Sequence, residues 1–135
     1  MQPGKNVLLV DDDEISNFLT ATVLRNSQVF ADIKISLDGR EALQWLQQKQ
    51  TATGSYPDLI LLDLNMPHMN GFKFLQSLRQ LPGPTPRIPI VVLSTSNFQE
   101  DFDYLRQFPE VEVFLYKPLT EESLLYLLNR FFPEN

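Results

Sequence analysis

The sequence predicts an α/β protein built on a doubly wound, five-stranded parallel sheet with the strand order 2-1-3-4-5. Five short apolar runs alternate with five longer amphipathic segments, which is the pattern of successive β–α units. Three of the runs have no polar alternation, as is typical of strands that helices cover on both faces. A chain of 135 residues has the size of one domain. We therefore expect a single domain over residues 1–135, without internal repeats.

Each predicted element follows from a local pattern. The strand candidates are residues 6–10, 32–36, 59–62, 88–93 and 111–116. The helices are predicted from apolar residues that recur every three or four positions and would face the core. These stripes are Ile15, Phe18, Leu19 and Val23; Ala42, Leu43 and Leu46; Phe74, Leu75 and Leu78; Phe102, Leu105 and Phe108; and Leu124, Leu128 and Phe131. We expect the proline-rich segment 81–89 to be a long connection before the fourth strand.

The composition excludes several classes of partner. Eleven Lys and Arg residues against 17 Asp and Glu give a net charge of −6, which argues against nucleic acid or an anionic membrane as a partner. The absence of cysteine excludes a disulfide framework and a thiolate metal site. The sequence shows no charged leader, and it has no apolar run close to the roughly 20 residues that a membrane helix needs. We expect a cytoplasmic protein.

Polar residues follow four of the five predicted strands directly. In "LILLDLNMP" (59–67), an apolar run ends in a single carboxylate. The carboxyl ends of parallel strands meet at one edge of a sheet, beside the switch in strand order, and ligands bind there. The residues that would converge at this edge are Asp11, Asp12 and Asp13 after the first strand, Asp63 after the third, Ser94 and Thr95 after the fourth, and Lys117 after the fifth.

Such a cluster suits phosphoryl transfer. Crowded carboxylates repel unless a cation neutralises them, and a site with oxygen ligands alone favours Mg²⁺, with Mn²⁺ as the alternative. A cation, an ammonium and a hydroxyl can each face one oxygen of a phosphoryl group. Asp63 would be the nucleophile that forms an acyl phosphate.

Helix capping is a second interpretation for part of the same cluster. The run "DDDE" (11–14) precedes an apolar stripe and is a good helix start, so we assign capping to Asp13 and Glu14. Asn70 is expected to cap the third helix, and His68 is expected to be exposed and without a role.

Four motifs resemble those of the receiver domains of bacterial two-component response regulators. They are "LLVDDDE" (8–14), "LILLDLNMPHMNG" (59–71), "IPIVVLSTS" (88–96) and "YKP" (116–118), in the family's order and approximate spacing. The resemblance runs from about residue 6 to residue 132 and implies a flavodoxin-like (βα)5 receiver fold. It also implies a phosphorylation-dependent switch of the stand-alone type rather than an enzyme with substrate turnover.

The resemblance assigns a role to each matching position. Asp63 matches the phosphoacceptor, and Lys117, whose bond to Pro118 is often cis in the family, matches the lysine that stabilises the phosphoryl group. The metal ligands would be Asp11, acting through water, together with Asp12, Asp63 and the main-chain carbonyl of Asn65. Ser94 and Phe114 match the switch hydroxyl and the switch aromatic. Thr95 stands where the family usually has a smaller residue, and its bulk would narrow access to the acyl phosphate and alter its lifetime.

The resemblance also implies partners. The phosphoryl donor would be a sensor histidine kinase or a histidine phosphotransfer protein. The output would pass to another protein through the face formed by the fourth helix, the fifth strand and the fifth helix, with the chain a monomer or a phosphorylation-dependent homodimer. Because residue 135 ends the sequence soon after the fifth helix, we expect no output domain on this chain.

Three other interpretations stay open from the residues. The first is a haloacid-dehalogenase-type phosphohydrolase with Asp11 as nucleophile and Asp13 as acid/base, although Asp63 would then have no role. The second is a flavodoxin-like binding module, although three aspartates stand where a phosphate loop is needed. The third is a receiver fold that no longer accepts phosphate. Turnover of a phosphate ester separates the first from a receiver.

Overall fold

A computed structural model describes residues 4–53, 56–64, 66, 69–81, 88–95 and 103–133, with the side chains of 50–53 excluded. Strands and helices alternate along the chain, as predicted. The strands are β1 (Lys5–Val10), β2 (Phe30–Ser36), β3 (Leu59–Leu62), β4 (Ile90–Ser94) and β5 (Val111–Tyr116). The helices are α1 (Glu14–Asn26), α2 (Gly39–Thr53), α3 (Gly71–Leu78), α4 (103–105 within the described range) and α5 (Glu121–Phe131).

The five strands form one parallel sheet in the order β2-β1-β3-β4-β5, which confirms the predicted fold class. The strand bounds differ most from the predicted ones at β2, which begins at Phe30 rather than at 32, and at β4, which begins at Ile90 rather than at 88. Pro89, just before the strand, has no N–H to donate to a neighbouring strand. Its carbonyl still accepts a 3.1 Å hydrogen bond from Ile60 N of β3. At its other end β4 includes Ser94, which was expected just after the strand.

Alternate residues of each central strand face two separate apolar layers. In β3, Ile60 and Leu62 belong to the layer under α2, α3 and α4, while Leu59 and Leu61 belong to the layer under α1 and α5. All four side chains are fully buried, which explains why the strand is apolar at every position. Burial of each such side chain contributes about 1.5–3 kcal/mol.

The face of helix α1 that packs against the sheet is opposite to the predicted one. Ile15, Phe18 and Leu19 were expected in the core, but they are 73%, 67% and 50% exposed. Val23, the fourth residue of the predicted stripe, is partly buried and packs against the layer under α1 and α5. The buried face consists of Asn17, Thr20, Ala21 and Leu24. Periodicity alone does not distinguish two stripes on one helix, and here the inner stripe carries a polar side chain that has a specific partner at the sheet edge, described below.

The other helix predictions are confirmed where the structure describes them. The predicted stripes of α2, α3 and α5 all pack into the two layers, and Leu127 of α5 adds a fully buried position. In the fourth segment, Leu105 and Phe108 are buried, Phe108 lies beyond the helix, and Phe102 is outside the described residues, as is most of the predicted connection 81–89. Within the described part of the chain, no helix combines the length and the apolar character that crossing a bilayer requires.

Candidate functional site

The register of the sheet places two aspartates side by side. Val10 of β1 pairs with Leu62 of β3, so the next residue on each strand, Asp11 and Asp63, leaves the sheet at the same edge. The link continues past the strands, because Asp63 N donates a 2.9 Å hydrogen bond to the carbonyl of Val10. Both aspartates are buried, with exposed fractions of 2% and 6%.

Three carboxylates form a compact cluster at this edge. One ligand atom from each of Asp11, Asp12 and Asp63 can be chosen so that all lie within 4.8 Å of one another, and Asp12 is the exposed member. Oxygen donors at this spacing fit a hard divalent cation such as Mg²⁺ or Mn²⁺, because such a cation would offset the repulsion among the carboxylates. The structure therefore brings together the three side chains that the sequence predicted as metal ligands.

Lys117 reaches the same cluster from the end of β5. Its Nζ lies 2.6 Å from Asp11 Oδ2 and 3.8 Å from Asp63 Oδ2, and the side chain is 14% exposed. Its main-chain N donates a 3.0 Å hydrogen bond to the carbonyl of Ser94, which ties the ends of β4 and β5 together. The Lys117–Pro118 peptide bond is cis.

The other predicted site residues that the structure describes lie in β4, just after it, and in β5. Ser94 is fully buried as the last residue of β4, and Thr95 after it is exposed. Phe114 in β5 is partly buried against the layer under α2, α3 and α4, and its ring meets Tyr116 edge-on with centroids 5.4 Å apart. Asn65 and His68 lie outside the described residues.

The first turn of α1 holds Asp11 through residues that the sequence analysis missed. Ser16 Oγ donates to Asp11 Oδ2 at 3.0 Å, and Asn17 Nδ2 donates to the Asp11 carbonyl at 2.8 Å. Asp13 caps the helix, as predicted, because its Oδ1 accepts from the N–H groups of Ile15 and Ser16. A signal existed in the sequence, since the polar pair Ser16–Asn17 stands one residue after the acidic run 11–14.

A glycine lets α3 approach the end of β3 closely. A Cβ added to Gly71 would lie 2.8 Å from the carbonyl oxygen of Asp63 and 2.8 Å from Leu64 Cα. Both contacts are with backbone, which cannot move aside cheaply. Asn70 caps α3 by accepting from Lys73 N at 2.9 Å, as predicted. Glycine at position 71 is therefore needed for the path of the chain just beyond Asp63.

Comparison with known proteins agrees with this geometry. The family model of the response regulator receiver domain matches residues 7–129. Response regulator Rcp1 of Synechocystis sp. is 40% identical over 100 residues, which cover 73% of this chain and 67% of Rcp1. A solved structure of Rcp1 in its Mn²⁺-bound form superposes with a TM-score of 0.74 at 32% identity, over 97% of this chain and 96% of that one.

Two further solved structures have the same fold. A two-component response regulator from Cytophaga hutchinsonii has a TM-score of 0.85 at 30% identity, over 98% of this chain and all of that one. The phosphorylated cyanobacterial phytochrome response regulator RcpA has a TM-score of 0.77 at 32% identity, over 98% and 96% of the two chains. Other curated relatives are longer proteins, and the chain spans between 14% and 38% of their length.

Fold and site together define a phosphorylation-dependent signalling switch of two-component systems. The chain belongs to the response regulator receiver domain family. Receiver domains take phosphoryl groups from histidine kinases and serve as signalling domains. The phosphohydrolase alternative on Asp11 and Asp13 is not supported, and the Asp13 carboxylate already serves as the helix cap.

Proposed function

We propose that Asp63 accepts a phosphoryl group from a phosphohistidine of a sensor kinase or of a histidine phosphotransfer protein. The observation that carries this proposal is the position of the Asp63 carboxylate, which is buried at the tip of a doubly covered strand between two other aspartates and a lysine. A buried carboxylate surrounded in this way is oriented for attack and is shielded from bulk water.

Asp11, Asp12 and Asp63 would hold Mg²⁺, or Mn²⁺ in its place, with the main-chain carbonyl of Asn65 as a further ligand. The bound cation neutralises negative charge on the transferring phosphoryl group and on the carboxylates. The fit of the three carboxylates to a hard divalent cation supports these assignments.

The chain's own residues carry the transfer itself. A carboxylate oxygen of Asp63 attacks phosphorus, the P–N bond to the donor imidazole breaks, and the leaving imidazole keeps the bonding electron pair and is protonated from solvent. Lys117 would stabilise the phosphoryl oxygens, since its Nζ already lies 3.8 Å from Asp63 Oδ2. Ser94, at the end of β4, would contribute a hydroxyl to another phosphoryl oxygen.

The signal would leave the site through β4 and β5. Ser94 would move toward the new phosphoryl group and Phe114 would fill the space that it leaves, which alters the face formed by α4, β5 and α5. Ser94 pairs in register with Tyr116, and Phe114 contacts Tyr116, so a short path joins the site to that face. Thr95 would modulate the lifetime of the acyl phosphate through its position at the rim.

The wider assignments rest on the family. We propose that residues 1–135 form one receiver domain that acts in the cytoplasm, without nucleic acid or membrane as a partner. An output protein would bind the α4–β5–α5 face, and the chain would be a monomer or a phosphorylation-dependent homodimer. Beyond its own phosphoryl transfer and dephosphorylation, it would turn over no substrate.

Phosphorylation by a small-molecule donor tests the proposal. The protein is incubated with phosphoramidate, with Mg²⁺ or with EDTA, and its intact mass is measured beside Asp63→Asn and Asp58→Asn. Asp58 is a matched control, because it precedes β3 at the other end of the strand, where its carboxylate accepts from Asn6 N. One phosphoryl group on the wild type and on Asp58→Asn, with Mg²⁺ only, is the expected result. An adduct on Asp63→Asn would overturn it.

A further inference from the structure

Every polar atom of Asp11 has a partner within the chain. Its main-chain N donates to the carbonyl of Ser36 at 3.0 Å, and its own carbonyl accepts from Asn17 Nδ2. In the carboxylate, Oδ1 accepts from Asp13 N at 3.0 Å, and Oδ2 faces both Ser16 Oγ at 3.0 Å and Lys117 Nζ at 2.6 Å. The orientation of this carboxylate is therefore fixed before any cation binds.

Ser16 contributes the one side-chain hydroxyl in this set. It lies in the first turn of α1 and is half-buried, and its main-chain N is occupied with Asp13 Oδ1 at 3.3 Å. Its Oγ is thus separate from the cap and donates to the same Asp11 oxygen that Lys117 contacts. Asn17 holds the main chain of Asp11, while Ser16 holds its carboxylate.

We propose that Ser16 is a positioning residue for the divalent cation. Its hydroxyl holds the Asp11 carboxylate beside Asp12 and Asp63, and this orientation would otherwise have to be selected when the cation binds. The inference rests on the metal site proposed above. Groups that orient a metal ligand without touching the metal typically change affinity by about 10–100-fold when they are removed.

A purely structural role for Ser16 makes a different prediction. If the hydroxyl only supported the start of α1, its removal would lower stability and leave cation affinity unchanged. Thr22 provides the comparison, because it lies in the same helix, is half-buried like Ser16, and its Oγ1 donates a 2.8 Å hydrogen bond to the carbonyl of Phe18. Thr22→Ala therefore removes a helix hydroxyl without touching Asp11.

The test is the dissociation constant of Mg²⁺ for the unphosphorylated protein, measured by isothermal titration calorimetry. Wild type, Ser16→Ala, Ser16→Thr, Thr22→Ala and Asp12→Asn are compared. We expect Ser16→Ala to bind Mg²⁺ about tenfold more weakly or worse. We expect Ser16→Thr, which keeps a hydroxyl, and Thr22→Ala to match the wild type. If Ser16→Ala does not fold, Ser16→Cys replaces it, since a thiol is a much weaker donor.

Each other outcome is decisive. Wild-type affinity in Ser16→Ala, equal losses in Ser16→Ala and Thr22→Ala, or no recovery in Ser16→Thr would each overturn the role of the hydroxyl. A wild-type protein that binds no Mg²⁺, or an Asp12→Asn variant that binds it as tightly as the wild type, would instead refute the metal site itself. Failure of the positioning role is thereby separated from failure of the proposed function.

Discussion

Lys117 lies closer to Asp11 than to Asp63: its Nζ is 2.6 Å from Asp11 Oδ2 and 3.8 Å from Asp63 Oδ2. The lysine thus forms an ion pair with Asp11, whose carboxylate is also hydrogen-bonded by Asp13 N and Ser16 Oγ. Its Nζ remains near Asp63, the proposed phosphoacceptor. Its positive charge offsets part of the repulsion among the three carboxylates. We therefore expect the lysine to contribute to stability and, as proposed, to phosphoryl transfer.

Replacement of Lys117 by methionine is expected to destabilise the protein in EDTA by on the order of 3–5 kcal/mol, because the buried carboxylate of Asp11 loses its ionic partner. Mg²⁺ should restore part of this loss. Urea unfolding in EDTA and in Mg²⁺ measures both effects. Lys73→Met, at an exposed position of α3, is the control and should have little effect. Wild-type stability of Lys117→Met in EDTA would contradict the ionic role.

Asp12 is expected to be needed for the stabilisation that Mg²⁺ binding gives. At a Mg²⁺ concentration about 100 times the dissociation constant, the free energy of unfolding of the wild type should rise by about 2.7 kcal/mol. Asp12→Asn should lose most of this gain, while its stability in EDTA should rise slightly because one carboxylate leaves the cluster. Asp32→Asn, exposed in β2, is the control. A Mg²⁺ gain in Asp12→Asn as large as in the wild type would exclude Asp12 as a ligand.

Gly71→Ala should lower the free energy of unfolding by about 1–3 kcal/mol, because the new methyl group would meet the backbone of Asp63 and Leu64. Phosphorylation should also slow, since the end of β3 must shift. Gly39→Ala is a matched control: its nearest contacts are Sδ and Cγ of the flexible Met69 side chain, and alanine favours the helix that begins there. Equal losses in the two variants would refute a specific role for Gly71.

The ion pair between Glu110 and Arg79 is expected to make a pH-dependent contribution to the free energy of unfolding. Arg79 Nε lies 2.5 Å from Glu110 Oε2, and its Nη2 lies 2.8 Å from Oε1, so the hydrogen bonds from the guanidinium lower the pKa of Glu110 below its ordinary value of 4.5. A lowered carboxyl pKa means that the stabilisation is present above the ordinary value and is lost as the pH falls through the folded-state pKa.

Glu110→Gln should therefore lower the melting temperature at neutral pH, by less than about 4 °C because the pair is partly exposed. The difference from the wild type should shrink as the pH falls below 4.5 and then through the lowered pKa of Glu110, because the carboxylate becomes protonated in the wild type. Thermal unfolding of both proteins across this pH range measures it. A difference that stays constant down to the lowest pH at which both are folded would argue against the ionic contribution.

The fold could be predicted because the central strands are buried on both faces and are therefore apolar at every position. Leu59, Ile60, Leu61 and Leu62 have no polar position, and the strand order places Asp11 and Asp63 together once a parallel sheet is assumed. The convergence of the carboxylates with Lys117 then follows from topology alone.

The orientation of α1 could not be predicted from periodicity. Ile15, Phe18 and Leu19 form the more apolar stripe, yet they are exposed. The inward face buries Ala21 and Leu24 and also places Asn17 so that its Nδ2 donates to the Asp11 carbonyl, a contact that depends on how the helix packs against the sheet edge. The role of Ser16 depends on how the first turn of α1 folds back on Asp11, and that of Gly71 on how closely α3 approaches the end of β3.

The position of the phosphoryl group is the most direct test of the central claim. The wild type is phosphorylated with phosphoramidate and Mg²⁺, and sodium borohydride then reduces the acyl phosphate, which converts a modified aspartate into homoserine. Peptide sequencing by mass spectrometry locates that residue. We predict homoserine at position 63 and unmodified aspartate at positions 11 and 12. Homoserine at position 11 or 12, with Asp63 intact, would contradict the assignment of Asp63 as the phosphoacceptor.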